Sequence, residues 1–69
     1  LLSEAVNLLP PQQKQVFQLA RVEGLTHEAI ASRLNLSQGT VKNHMVRALQ
    51  SIRKYLAPHV SLYFLFLLD

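Results

Sequence analysis

The sequence predicts an all-α fold: a small helical bundle of four main helices carrying a helix-turn-helix, with an apolar C-terminal tail as a possible fifth helix. Three observations predict it. Apolar residues from Val41 to Leu56 recur at spacings of three and four, the period of a helix with one buried face. A pattern of apolar residue, hydroxyl, and apolar residue at the fourth helical position occurs twice, as Leu25-Thr26 with Ile30 and as Leu36-Ser37 with Val41. Pro10-Pro11, Gly24 and Pro58 fall between the periodic stretches, where chain-breaking residues belong.

The elements are justified in order. A first short helix runs from about residue 2 to residue 9 and stops at Pro10-Pro11, because proline disfavours the helical conformation in the residue before it. Pro11 suits the first turn of a second helix, whose apolar side holds Val16, Phe17 and Ala20, with Leu19 alongside. Gly24 suits a left-handed C-terminal cap. Thr26 and Ser37 each start a helix. The hydroxyl accepts an orphan backbone N–H while the flanking apolar pair clamps the entry of the chain, a hydrophobic staple around an N-cap. Neither start is a full capping box, since Ala29 and Thr40 stand where Glu or Gln would complete it. The helix from Thr26 must end near Leu34, with Asn35 tolerating the left-handed turn. The last runs from about residue 38 to residue 57, closed by Pro58.

With 69 residues the chain holds one domain. A domain of this size buries roughly 60% of its unfolded surface, which leaves little room for a deep substrate cleft. Residues 1–57 are read as the domain, with the motif at about 26–46, and residues 58–69 as the tail. There is no cysteine, which excludes disulfides and thiolate metal sites. Nothing marks a secreted protein, and a cytoplasmic location is expected. The chain begins at Leu1 with residues that already look helical, as if cut from a longer protein. The apolar run from Val60 to Leu68 is far shorter than the ~20 residues that span a bilayer. Net charge is +3, and its distribution says more than its size. From Lys42 to Lys54 every charged side chain is basic: Lys42, Arg47, Arg53 and Lys54. Glu4, Glu23 and Glu28 all come earlier. Such a one-sign stripe is an electrostatic footprint for phosphate, and also an ordinary solvated helix face.

A helix-turn-helix needs a short first helix, a tight turn, a small residue where the helices cross, and apolar residues that lock the angle. Residues 27–46 supply them. Ile30, Leu34 and Leu36 form the lock, Ala31 is the small residue, Asn35 makes the turn and Ser37 caps the second helix. Val41 and Met45 pack inward. The start of the second helix is then pushed outward, where it can enter a major groove. On a helical wheel Gln38, Gly39, Lys42, Asn43 and Arg47 face outward or sit at the edge. Gln38 and Asn43 are amides suited to adenine. Lys42 and Arg47 suit phosphate or guanine. Thr40 and the N–H groups near Ser37 suit a phosphate at the helix N-terminus. Gly39 permits close approach without a contact of its own.

The segment LPPQQKQVFQLARVEGLTHEAIASRLNLSQGTVKNHMVRALQSIRKYL closely resembles region 4 of the sigma-70 family, and is most similar to the extracytoplasmic-function sigma factors. The matching features are Leu9-Pro10 before the helix with Val16 and Phe17; Gly24-Leu25-Thr26; Ile30-Ala31 with Leu34; Ser37 with Thr40-Val41-Lys42; and Ala48-Leu49 with Ile52-Arg53. The resemblance covers about residues 4–56. LuxR-type response regulators share the Ile30-Ala31 and Thr40-Val41-Lys42 parts, whereas Leu9-Pro10 and the long last helix favour sigma. The resemblance implies a non-enzymatic module that reads the −35 promoter element in transcription initiation and docks on the flap of the RNA polymerase beta subunit. It sets Gln38, Gly39, Lys42 and Asn43 over bases and Arg47 and Arg33 near the backbone. An anti-sigma factor is a further partner it implies. The chain departs from the family at Ala29, where glutamate is common, and at Gln38-Gly39, where a proline or charged start is commoner. Two other readings stay open: the DNA-binding domain of a response regulator, and a protein-interaction module on the same fold.

His27-Glu28 begins like the zinc-protease motif H-E-x-x-H, but residue 31 is Ala31, so no metal site is expected. His44 borders the core and the outer face and is read as structural. Ser, His and Asp form no triad, and the single Asp is Asp69. No cofactor is expected. The tail, with Leu62, Tyr63, Phe64, Leu65, Phe66, Leu67 and Leu68, is too apolar to stay in water as a free end. It is expected to fold back as a fifth helix, to pack on a second copy or on a partner such as polymerase or an anti-sigma factor, or to anchor to a membrane. One expectation is that it masks apolar surface the polymerase flap would use.

Overall fold

The computed structural model describes residues 2–58. The expected fate of the tail, including self-association through Leu62 to Leu68, lies outside the described residues. Four α-helices occur in order: α1 (Leu2–Asn7), α2 (Pro11–Arg21), α3 (His27–Leu34) and α4 (Gln38–Leu56). α4 is the longest and packs against each of the other three.

α1 stops at Asn7, two residues before the expected end. Leu8 and Leu9 form a tight turn instead, in which the Leu9 N–H bonds the Val6 carbonyl at 3.1 Å. The turn sends Leu9 into the core. The double proline sets the entry to α2. Pro11 forces Pro10 out of the helical region, to φ −55° and ψ 149°, the backbone an N-cap residue adopts. α2 therefore starts without a side-chain cap; the fixed φ of Pro11 replaces one. The α2–α3 turn uses Gly24 at φ +73°, and the Leu25 N–H reaches back to the Leu19 carbonyl at 3.0 Å.

Both hydroxyl starts form. Thr26 Oγ1 accepts the Ala29 N–H at 3.1 Å, and Ser37 Oγ accepts the Thr40 N–H at 3.0 Å. α3 closes on Asn35 at φ 56°, ψ 48°, with its N–H on the Ala31 carbonyl. The Leu36 N–H shares that carbonyl at 2.9 Å, so the corner leaves few orphan groups. α4 ends at Leu56, its cap residue Ala57 bonding Arg53.

The core holds Ala5, Val6, Leu9, Val16, Phe17, Leu19, Ile30, Ala31, Val41, Met45, Ala48, Ile52 and Leu56, and among the described residues no polar side chain is buried with them. The stapling residues Leu25 and Leu36 pack against it, half-buried, together with Leu34 and Leu49. One link has no local signature in the sequence. The Tyr55 hydroxyl donates to Glu4 Oε2 at 2.9 Å across 51 residues of chain, tying the end of α4 to α1. This hydrogen bond, with desolvation and the Glu4 charge, raises the phenol above its usual pKa. A pKa raised on folding contributes stability at neutral pH and loses it as pH climbs through the raised value.

Candidate nucleic-acid interface

The interface is built by the α3–α4 corner. Ile30 and Val41, both fully buried, fix the two helices from either side of Asn35, and buried Ala31 leaves room for the approach. The first turn of α4 is capped by Ser37. Its Oγ accepts the Thr40 N–H and donates its own hydrogen to Thr40 Oγ1 at 2.9 Å. The Ser37 hydroxyl is thus committed within the corner, while the Thr40 hydroxyl keeps its hydrogen to give. The N–H groups of Gln38 and Gly39 precede the first intrahelical bond, which Val41 makes to the Ser37 carbonyl at 3.1 Å, so they point off the helix end.

Beyond that turn α4 divides along its length. Val41, Met45, Ala48, Ile52 and Leu56 face the core. Gln38, Gly39, Lys42, Asn43, Val46 and Arg47 are exposed, and Thr40 is half-exposed. At about 100° per residue, Asn43 stands opposite the core, with Arg47 on one flank and Gly39 and Val46 on the other. Of the residues singled out in the sequence, Gly39, Asn43 and Arg47 share the side away from the core, Gln38, Thr40 and Lys42 lie at its edges, Ser37 caps the helix, and Arg33 stands apart. Arg33 leaves from the last turn of α3 and pairs with Glu23 at 3.6 Å, both side chains more than half exposed. A pair so open is worth little, typically about 0–1 kcal/mol, and yields readily to a competing anion.

His44 lies half-buried beside this surface, with Nδ1 shielded and without a hydrogen-bond partner. Among the described residues no three His, Cys, Asp or Glu side chains gather as a metal site. Among them also no helix is long and apolar enough to cross a membrane.

A short first helix, an αL corner, and a second helix with a buried seam and a polar, basic outer side define a helix-turn-helix module. Residues 1–52 match the family described as Sigma-70, region 4. The chain belongs to that family. It is 38% identical over 60 residues to the ECF RNA polymerase sigma factor SigE of Mycolicibacterium smegmatis, covering 87% of this chain and 23% of that protein. It is 39% identical over 56 residues to the RNA polymerase sigma-E factor of Streptomyces antibioticus, covering 81% of this chain and 31% of that protein. The chain thus spans a quarter to a third of the length of these curated relatives. No solved structure matches. The family match favours the sigma reading over the response-regulator one.

Proposed function

We propose that this module binds promoter DNA as region 4 of an extracytoplasmic-function-type sigma factor, taking the outer face of α4 into the major groove at the −35 element. In this reading residues 1–57 are the working domain, and the module acts in the cytoplasm, without catalysis, in transcription initiation. The observation that carries it is the segregation of α4: Asn43 and Arg47 stand opposite the core, Gln38 and Lys42 are exposed at its edge, and the inner side is locked by Val41, Met45 and Ala48.

The division of labour comes from the chemistry of each side chain. Lys42 and Arg47 neutralise phosphates and supply sequence-independent affinity. Gln38 and Asn43 present paired donor and acceptor groups to base edges and supply discrimination. The Thr40 hydroxyl and the free N–H groups of the first turn suit a phosphate at the groove edge. Ser37 serves as the cap that presents them. Arg33 reaches the neighbouring backbone on releasing Glu23. RNA polymerase core, through the beta-subunit flap, is the partner the family resemblance implies, with an anti-sigma factor as a second.

The test is a salt titration of binding to promoter duplexes and to random duplexes. Asn43→Ala is expected to lose about 1–3 kcal/mol on the preferred sequence and nothing on random DNA. Lys42→Ala and Arg47→Ala are expected to weaken both alike and to reduce the salt slope by about one each. Equal losses on both duplexes for Asn43→Ala would remove it from base reading. Salt-independent binding would favour a protein-interaction module instead.

A further inference from the structure

Two residues of the α4 outer face are left unexplained by the fold. Gly39 sits in the first turn of a regular helix, without the positive φ that marks Gly24. A Cβ built there would meet nothing closer than Ser37 Oγ at 3.9 Å. Nothing among the described residues requires the side chain to be missing, and glycine is a poor helix former. Val46 is 44% exposed. It is a β-branched residue in a helix interior, so it gains only partial burial and little propensity there. The other large apolar residues exposed among the described residues, Leu2, Leu8 and Val22, lie on or beside α1 and α2.

A lone exposed apolar side chain is ordinary. The placement of this one is not. Gly39 and Val46 are seven residues apart, two turns up the same flank, with Asn43 one step around from both. The flank is therefore stripped of bulk at its lower end and apolar at its upper end. A base-pair edge in the major groove offers one apolar feature, the C5-methyl of thymine. We infer that Val46 reads a thymine methyl, and that the bare Gly39 lets α4 sink far enough for the contact to form. The inference rests on the DNA-binding reading and adds a specificity determinant to it. Val46 excludes cytosine, which lacks the methyl and places an amino donor at the neighbouring position, where an apolar side chain leaves it unpaired.

The experiment uses the full chain and duplexes selected by it from a random pool. Each thymine of the tightest duplex is replaced in turn by deoxyuridine, which removes the methyl and nothing else. At one position the unaltered protein is expected to bind about fourfold more weakly, the value of one buried methyl-sized group. Val46→Ala, an exposed change that leaves the core intact, is expected to bind the thymine duplex correspondingly less tightly and to be indifferent to deoxyuridine at that position. A fourfold loss that persists in Val46→Ala overturns the assignment. So does a selected sequence in which no thymine methyl matters. Selection that yields no preferred sequence overturns the DNA reading itself, and the assignment with it.

Discussion

The two long sides of α4 are made from one stretch of chain and answer to different partners. On the inner side every position is answered by the protein: Val41 and Ala48 are fully buried, Ile52 and Leu56 nearly so. On the outer side Lys42, Asn43, Val46 and Arg47 are exposed, and Gly39 has nothing in contact range that forbids a side chain. The inner side is explained by burial at about 25 cal/mol per Å² of apolar surface. Three residues of the outer side are not explained by stability. Asn43, Gly39 and Val46 would each be improved upon by an ordinary helix former if folding alone were being served. A helix that is well chosen on one face and poorly chosen on the other points to a partner for the second face.

The strongest way to break this contrast is to disturb the inner side. Ile52→Ala leaves a cavity in the core that Ile52 shares with Val16 and Ile30 and is expected to destabilise the domain by about 2–5 kcal/mol. A domain of this size is stable by only about 3–10 kcal/mol, so urea unfolding should move its midpoint far down. Under stabilising conditions the folded fraction should keep its sequence preference. A change in preference without a loss of stability would mean that the two sides are not separable.

The next test sets the two capped corners against each other. Thr26→Ala and Ser37→Ala each remove a hydroxyl that accepts a helix N–H, and each should cost about 1 kcal/mol in thermal or urea unfolding. They should differ in binding. α3 presents its first turn to solvent, with His27 and Glu28 exposed, whereas the first turn of α4 carries Gln38, Gly39 and Thr40. Ser37→Ala is therefore expected to weaken DNA binding beyond its effect on folding, and Thr26→Ala to leave binding of the folded protein unchanged. Parallel binding losses in both would argue that the corner acts as one body.

These corners also mark what is legible without coordinates. A staple and a cap lie within six residues of each other, so Leu25-Thr26 with Ile30 and Leu36-Ser37 with Val41 carry their meaning locally, and the periodic positions from Val41 to Leu56 do the same for the long helix. The candidate face comes with them, because the side opposite a correctly placed seam must face outward. Asn35 is legible for a like reason, since few residues accept the conformation its turn demands. The Tyr55–Glu4 hydrogen bond is not, because its partners lie 51 residues apart and no local pattern announces which tyrosine meets which acid. The Arg33–Glu23 pair is hidden in the same way. The end of α1 differs from its sequence-based expectation because Leu8 and Leu9 suit a helix by propensity, while the turn that buries Leu9 depends on tertiary packing.

The smallest expected effect is the most discriminating, because its two parts have opposite signs. Gly39→Ala places a methyl group where the protein has open space, at a backbone conformation alanine accepts. Folding should therefore gain about 0.5–1 kcal/mol from the lost freedom of the unfolded chain. If the outer side serves folding, or serves nothing, that gain is the whole result. If it approaches a duplex closely, the added methyl holds the helix away from the bases, and specific affinity falls while the melting temperature rises. Both are measured on one preparation, by thermal unfolding and by titration with the preferred duplex. A variant that gains stability and keeps its affinity would show that Gly39 clears no path to DNA, and would leave Val46 without the close approach its proposed contact needs.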